Sequence, residues 1–152
     1  MTSPLYRSWQ HCLLLLLGAV ITPHCAWADV GQIKVAKGQV WVERAGQVLP
    51  GRVGLALEPA DTLRTGADGS VGVTMRDDSR LSAGPNSVLT LAAFEFDTVT
   101  TRGRFETQLR RGTLAVVSGR IAKSEPESMT VRTPSAVLGA RGTTFVVSVD
   151  EL

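Results

Sequence analysis

The sequence predicts an all-β fold, a single domain of many short strands. Three observations carry that prediction. Apolar residues alternate with polar ones from end to end, turn residues punctuate the chain about every ten positions, and no stretch keeps a 3.6-residue apolar period.

Each strand is read from its alternation. Ile33 and Val35, then Val40 and Val42, form a first pair of short strands around Lys37-Gly38. Val71, Val73 and Met75 share one face, and so do Phe105, Thr107 and Leu109. Leu114 to Val117 is continuously apolar, which predicts a central strand buried on both faces. Met129–Arg132 reads as a further strand, and Phe145, Val147 and Val149 share the inner face of the last one. Val88 to Phe96 is ambiguous, because Leu89, Ala92, Ala93 and Phe96 also fit a helical face. It is read as two strands. Between these lie Ala45-Gly46, Ala67-Asp68-Gly69, Asp77-Asp78-Ser79, Gly84-Pro85-Asn86 and Arg111-Gly112, all turn chemistry. Lys123 to Ser128 is polar, contains Pro126 and reads as an exposed connecting loop. Many short strands at this spacing fit a sandwich-like, barrel-like or β-helix-like arrangement.

The N-terminus reads as a cleaved signal peptide, residues 1–28. Arg7 supplies the positive start, Cys12 to Ile21 the apolar stretch, and Ala26-Trp27-Ala28 the cleavage site before Asp29. The apolar stretch is about half of the roughly 20 residues that span a bilayer, so no stable membrane span is expected. Cys25 near the cleavage zone lacks the small apolar residues before it that lipid attachment needs. The mature domain is then 29–152, placed in the periplasm or secreted.

Removing the signal removes both cysteines, both histidines and the tyrosine, so no disulfide holds the mature domain. Ser-His-Asp and Cys-His arrangements and ordinary zinc sites are excluded with them. Lys123-Ser124 lies in a loop and Asp77-Asp78 in a turn, and neither carries the rest of a catalytic or calcium signature. The expectation is no catalytic residue, no metal and no cofactor. The arginines are scattered rather than gathered on one patch, which argues against nucleic acid.

The exception is Arg102, Arg104, Arg110 and Arg111. Arg102 precedes a hairpin turn, while Arg104 and Arg110 fall opposite Phe105 and Leu109 and are therefore exposed. These four are the candidate partner-binding residues, for a partner protein or peptide of the envelope. The alternative is an envelope glycan or small ligand. Glycans favour exposed aromatics, and of Trp41, Phe94, Phe96, Phe105 and Phe145 only Trp41 alternates outward.

The motifs, taken in order, resemble the periplasmic domain of the FecR family of iron-responsive signal transducers. Asp61-Thr62-Leu63-Arg64-Thr65-Gly66, followed by Asp68-Gly69, resembles that family's G-D-x-[LIV]-x-T-G. Asp77-Asp78-Ser79 resembles D-G-S, and Gly84-Pro85-Asn86-Ser87 resembles G-P-N-[ST]. Arg111-Gly112-Thr113-Leu114, Thr133-Pro134 and Arg141-Gly142-Thr143-Thr144-Phe145 are similar to its remaining motifs. Ala60 and Asp78 stand where the family often has glycine. The resemblance implies a non-catalytic sensing module of the envelope, with these residues as scaffold. Transducers of the family resemble a cytoplasmic segment and a membrane helix followed by this domain. Here a cleaved signal is expected in their place, which removes the basis for direct sigma-factor control.

Overall fold

The computed structural model describes residues 29–139 and 144–150. The signal segment 1–28 lies outside the described residues, and so do Arg141, Gly142 and Thr143. Strands make up 58% of what is described and helix 7%, in one curled, mainly antiparallel sheet shaped as a half-barrel. The expected β-rich class therefore stands, while the sandwich-like and β-helix-like alternatives give way to a single curled sheet.

Twelve strands are described: β1 Gly31–Lys37, β2 Val40–Arg44, β3 Gln47–Pro50, β4 Ala56–Leu57, β5 Thr62–Thr65, β6 Ser70–Met75, β7 Arg80–Ala83, β8 Val88–Phe96, β9 Gly103–Val117, β10 Met129–Arg132, β11 Val137–Gly139 and β12 Thr144–Val149. Their order is β3-β2-β5-β8-β9-β7-β6-β1-β4, with β10 and β12 also on β9 and β11 on β10. The end strands β3 and β4 are joined by the short link 51–55, so the chain brings the two edges of the curl together. The early strands β1 and β2 do not pair with each other. β1 pairs β6 and β4, whereas β2 pairs β3 and β5.

The core lies on the concave side. Val71, Val73, Met75, Phe105, Leu109, Leu114, Val116 and Val147 are buried as the alternation predicts. Burying such a side chain contributes about 1.5–3 kcal/mol. Phe145 is a correction: it is only partly buried and packs against the core's margin. Among the described residues its strand β12 pairs only with β9, at the margin of the sheet.

Several further corrections have one cause, a slip in the phase of the pleat. In β1 the register shifts between Ile33 and Val35, which leaves Ile33 buried and Val35 exposed. Val88 to Phe96 is one strand, not two. Its register against β9 shifts between Thr90 and Ala93, so the inward set passes from Leu89 and Leu91 to Phe94 and Phe96. A bulge that moves the apolar phase by one residue produces the three- and four-residue spacing that imitates a helix. β9 is buried on one face only, with Val117 exposed, because strands flank it on both sides but among the described residues no second layer covers its outer face.

The polar connection 123–128 is not a plain loop either. A short helix α1, Arg120–Ser124, and a 3₁₀ turn, Pro126–Ser128, lie between β9 and β10. The reason is topological. β10 runs parallel to β9, with Met129 opposite Phe105, and parallel neighbours need a crossover rather than a hairpin. Ile121 and Ala122 in that crossover are buried.

Phe105 sits at the centre of this packing, with its ring edge-on to Phe94 at 5.3 Å between centroids. Phe105→Ala is expected to cost about 3–5 kcal/mol in urea denaturation. Phe145→Ala, at the margin, costs less. Equal losses at the two positions would contradict this placement.

Candidate functional site

The motif residues gather into three buried polar clusters. In the first, Thr65 Oγ1 donates to the Gly84 carbonyl at 2.6 Å and accepts the Ser87 N–H at 2.8 Å. Ser87 Oγ then accepts the Thr113 N–H at 3.0 Å. Three motifs far apart in the chain meet there. Gly112 is at φ 85, and a Cβ on it would lie 2.2 Å from Ser87 Oγ, so this position requires glycine. Asn86 takes φ 52 in the turn beside it, a conformation that asparagine tolerates.

In the second cluster, Asp77 and Ser79 are fully buried. Ser79 Oγ donates to Asp77 Oδ2 at 2.7 Å and accepts the Gly119 N–H at 2.9 Å. Asp77 Oδ2 also accepts the Ile121 N–H at 3.4 Å. Gly119 is confined here as well, because a Cβ would lie 2.3 Å from Asp77 O. Asp78 instead points outward to Arg120, at 3.0 Å. The two neighbouring carboxylates diverge, and that of Asp77 accepts from Ser79 in its own turn and from Ile121 in the crossover.

The third cluster holds a buried charge. Arg44 Nε and Nη2 donate to the two carboxylate oxygens of fully buried Asp61 at 2.8 and 2.7 Å. Arg44 Nη1 reaches Glu58 at 2.7 Å. Donation to Asp61, reinforced by the charges of Asp61 and Glu58, raises the Arg44 pKa above its usual value. Sequence reading found Asp61 but missed Arg44. Its partner stands 17 residues away, and no local pattern links the end of β2 to the start of β5.

The four candidate arginines do not form one patch. Arg104 and Arg110 share the outer face of β9, both exposed, about 20 Å apart at roughly 3.3 Å per residue. Arg102, on the hairpin, pairs with Glu125 at 3.2 Å. Arg104 pairs with Glu106 at 2.7 Å, and Glu106 is also held by Arg132 at 2.5 Å. The hydrogen bond from Arg104, with the charge of Arg132, holds the Glu106 carboxyl below its usual range.

Arg110 and Arg111 stand elsewhere, beside a break in the pairing of β9. On that side the register with β10 ends at Gln108 and the register with β12 ends at Gly112. A hollow of about 690 Å³ opens there, lined by Arg110, Arg111, Pro134, Leu138, Val147 and Val149 among others. Pro134 is held in a turn in which Thr133 exchanges hydrogen bonds with Ala136 at 2.8 and 3.0 Å. Among the described residues no group of three or more His, Cys, Asp or Glu could hold a metal ion. No helix among them is long and apolar enough to cross a membrane.

Two tests follow from the clusters. Arg44→Ala strands the Asp61 carboxylate and should cost about 3 kcal/mol, whereas Arg64→Ala removes an exposed pair and should cost under about 1 kcal/mol. Similar losses in chemical denaturation would contradict the buried-charge account. Ala60 sits at φ 68 and Asp78 at φ 66, both left-handed, where a β-carbon strains the backbone. Ala60→Gly should therefore raise stability by about 0.5–1 kcal/mol, net of the added freedom of the unfolded chain. A lower urea midpoint would contradict it.

A family model described as FecR protein matches residues 61–151. No curated protein and no solved structure matches the chain. The matched span covers more than half of the sequence and takes in the first two clusters whole, together with Asp61 of the third. The ordered motifs, the turns they occupy and this match together place the chain in the FecR family.

Proposed function

We propose that this is an exported, non-catalytic binding and sensing module of the cell envelope, which engages a partner protein or peptide. Family membership supports the sensing role, since FecR-type proteins are signal transducers. The A-x-A site before Asp29 supports export. The observation that carries the partner site is the break in the pairing of β9, flanked by Arg110 and Arg111. Among the described residues three positions separate the two registers there, and the adjoining hollow has mainly apolar walls, with the guanidinium groups of Arg110 and Arg111 and the carboxylate of Asp150 in its lining. A short extended segment of a partner fits such a place, with backbone contacts at the sheet edge and an acidic side chain toward the arginines. Arginine forms planar, two-point contacts with carboxylates, and so suits recognition of an acidic segment.

Arg104 extends the same outer face toward the β8–β9 hairpin. Its pairing with Glu106 makes it a weaker contributor than Arg110, because a partner's carboxylate must compete with Glu106.

The test begins with the exported protein, whose intact mass is expected to start at Asp29. The double variant Arg104→Glu, Arg110→Glu should keep the far-UV spectrum and thermal midpoint of the wild type. It should lose cross-linking to the envelope proteins that the wild type captures. Retention of every wild-type partner by a folded double variant would place the site elsewhere.

A further inference from the structure

We propose that a second site, centred on Trp41 on the outer face of β2, binds an acidic saccharide. The strand carrying Trp41 is paired on both sides, with Pro50 of β3 and Arg64 of β5 opposite it. Its backbone groups are committed to those ladders, so a partner strand cannot add there. Whatever binds must be gripped by side chains alone.

The side chains present are suited to a sugar. Trp41 is 36% exposed and Val48, beside it on β3, is 63% exposed. Together with Glu43 and Arg64 they line a shallow hollow of about 220 Å³. Glu43 Oε1 and Arg64 Nη1 are paired at 2.6 Å, yet both side chains stay more than a third exposed. A pyranose ring offers an apolar C–H face and a rim of hydroxyls. The indole and Val48 present an apolar floor, and the indole is a rigid plate that buries large area with little entropy loss. The planar carboxylate accepts hydroxyl hydrogens and the planar guanidinium donates to hydroxyl oxygens, each at two points.

The acidity follows from the continuation of the site. Across β5 and β8 toward β9, Glu43 and Arg64 also line a hollow of about 480 Å³ together with Arg110 and Arg111. That lining holds three guanidinium groups and one carboxylate, Glu43, which is paired with Arg64. A saccharide stacked on Trp41 thus has cationic surface within about 14 Å, the span of three strand spacings. A carboxylate-bearing sugar chain complements it, whereas a neutral glucan gains nothing from it.

The probe is polygalacturonate, titrated into the full-length protein with calorimetry and intrinsic fluorescence, against amylose and polyglutamate as comparators. Saturable binding of polygalacturonate is expected, stronger than that of either comparator. Trp41→Ala and Arg64→Ala should each weaken it about tenfold with unchanged far-UV spectra, while Trp41→Phe keeps most of it. The proposal is overturned by absence of saturable binding, by a Trp41→Ala protein that binds as tightly as wild type, or by polyglutamate binding with the same dependence on Trp41. Amylose binding as tightly as polygalacturonate would overturn the acidic preference. The envelope cross-linking of the Trp41→Ala protein reads the partner site separately, since Trp41 lies outside the hollow at β10 and β12.

Discussion

The contact between Gly112 and Ser87 is the constraint on which the rest of the sheet depends. β9 is the longest strand and belongs to both halves of the curl, pairing β8 and β10 with its first part and β7 and β12 with its second. The change of neighbours occurs at Gly112, whose positive φ shifts the inward set from Phe105, Thr107 and Leu109 to Leu114 and Val116. Ser87 fills the space that a side chain at 112 would need, and its hydroxyl holds the next amide, that of Thr113. Thr65 in turn holds the Ser87 amide. One chain of hydrogen bonds thus fixes where a fifteen-residue strand passes from one set of partners to the other.

Much of this was legible in the sequence, and the limits have identifiable physical causes. Period-two alternation located β6, β12 and the first part of β9, because a half-buried strand writes its pleat into its composition. Most turns were legible because Gly, Asn and Asp are chosen there for backbone reasons, but Arg111-Gly112, read as a turn between two strands, lies inside the single strand β9, where the glycine serves a bulge. Phase slips were not, since a bulge changes which residues point inward without changing residue type, and Val88–Phe96 consequently imitated a helix. The parallel pairing of β10 was hidden for a different reason. Nothing in Met129–Arg132 records its direction, and only the eleven-residue crossover before it hints that no hairpin precedes it. The exposure of Arg104 and Arg110 was readable from Phe105 and Leu109. Their separate surroundings, Glu106 for one and the break beside β12 for the other, arise from strands distant in sequence.

The result is a division of labour between the two faces of one sheet. The concave face and its polar clusters hold Asp61, Thr65, Asp77, Ser79 and Ser87, which satisfy buried backbone groups and close turns. A buried polar group left without a partner costs about 1–3 kcal/mol, so each cluster is needed once it is formed. Among the described residues the outer face has no second layer to pack against, and it carries the charges and Trp41. Ion pairs there are exposed and individually weak, which leaves those side chains able to exchange partners when a ligand arrives. The proposed sensing role is compatible with this arrangement, because outer-face residues can change without disturbing those that fold.

The most direct measurement of the central claim, that the motif residues pin the two halves of the sheet through buried hydrogen bonds, is native-state hydrogen exchange. The amides of Ser87, Thr113 and Gly119 are each bonded to a buried side-chain oxygen. They should exchange only through global unfolding, with the same free energy as the amides of Leu109 and Leu114. Exchange at the rates of the exposed 97–102 hairpin would show that these bonds open locally, and the account of the scaffold would fail.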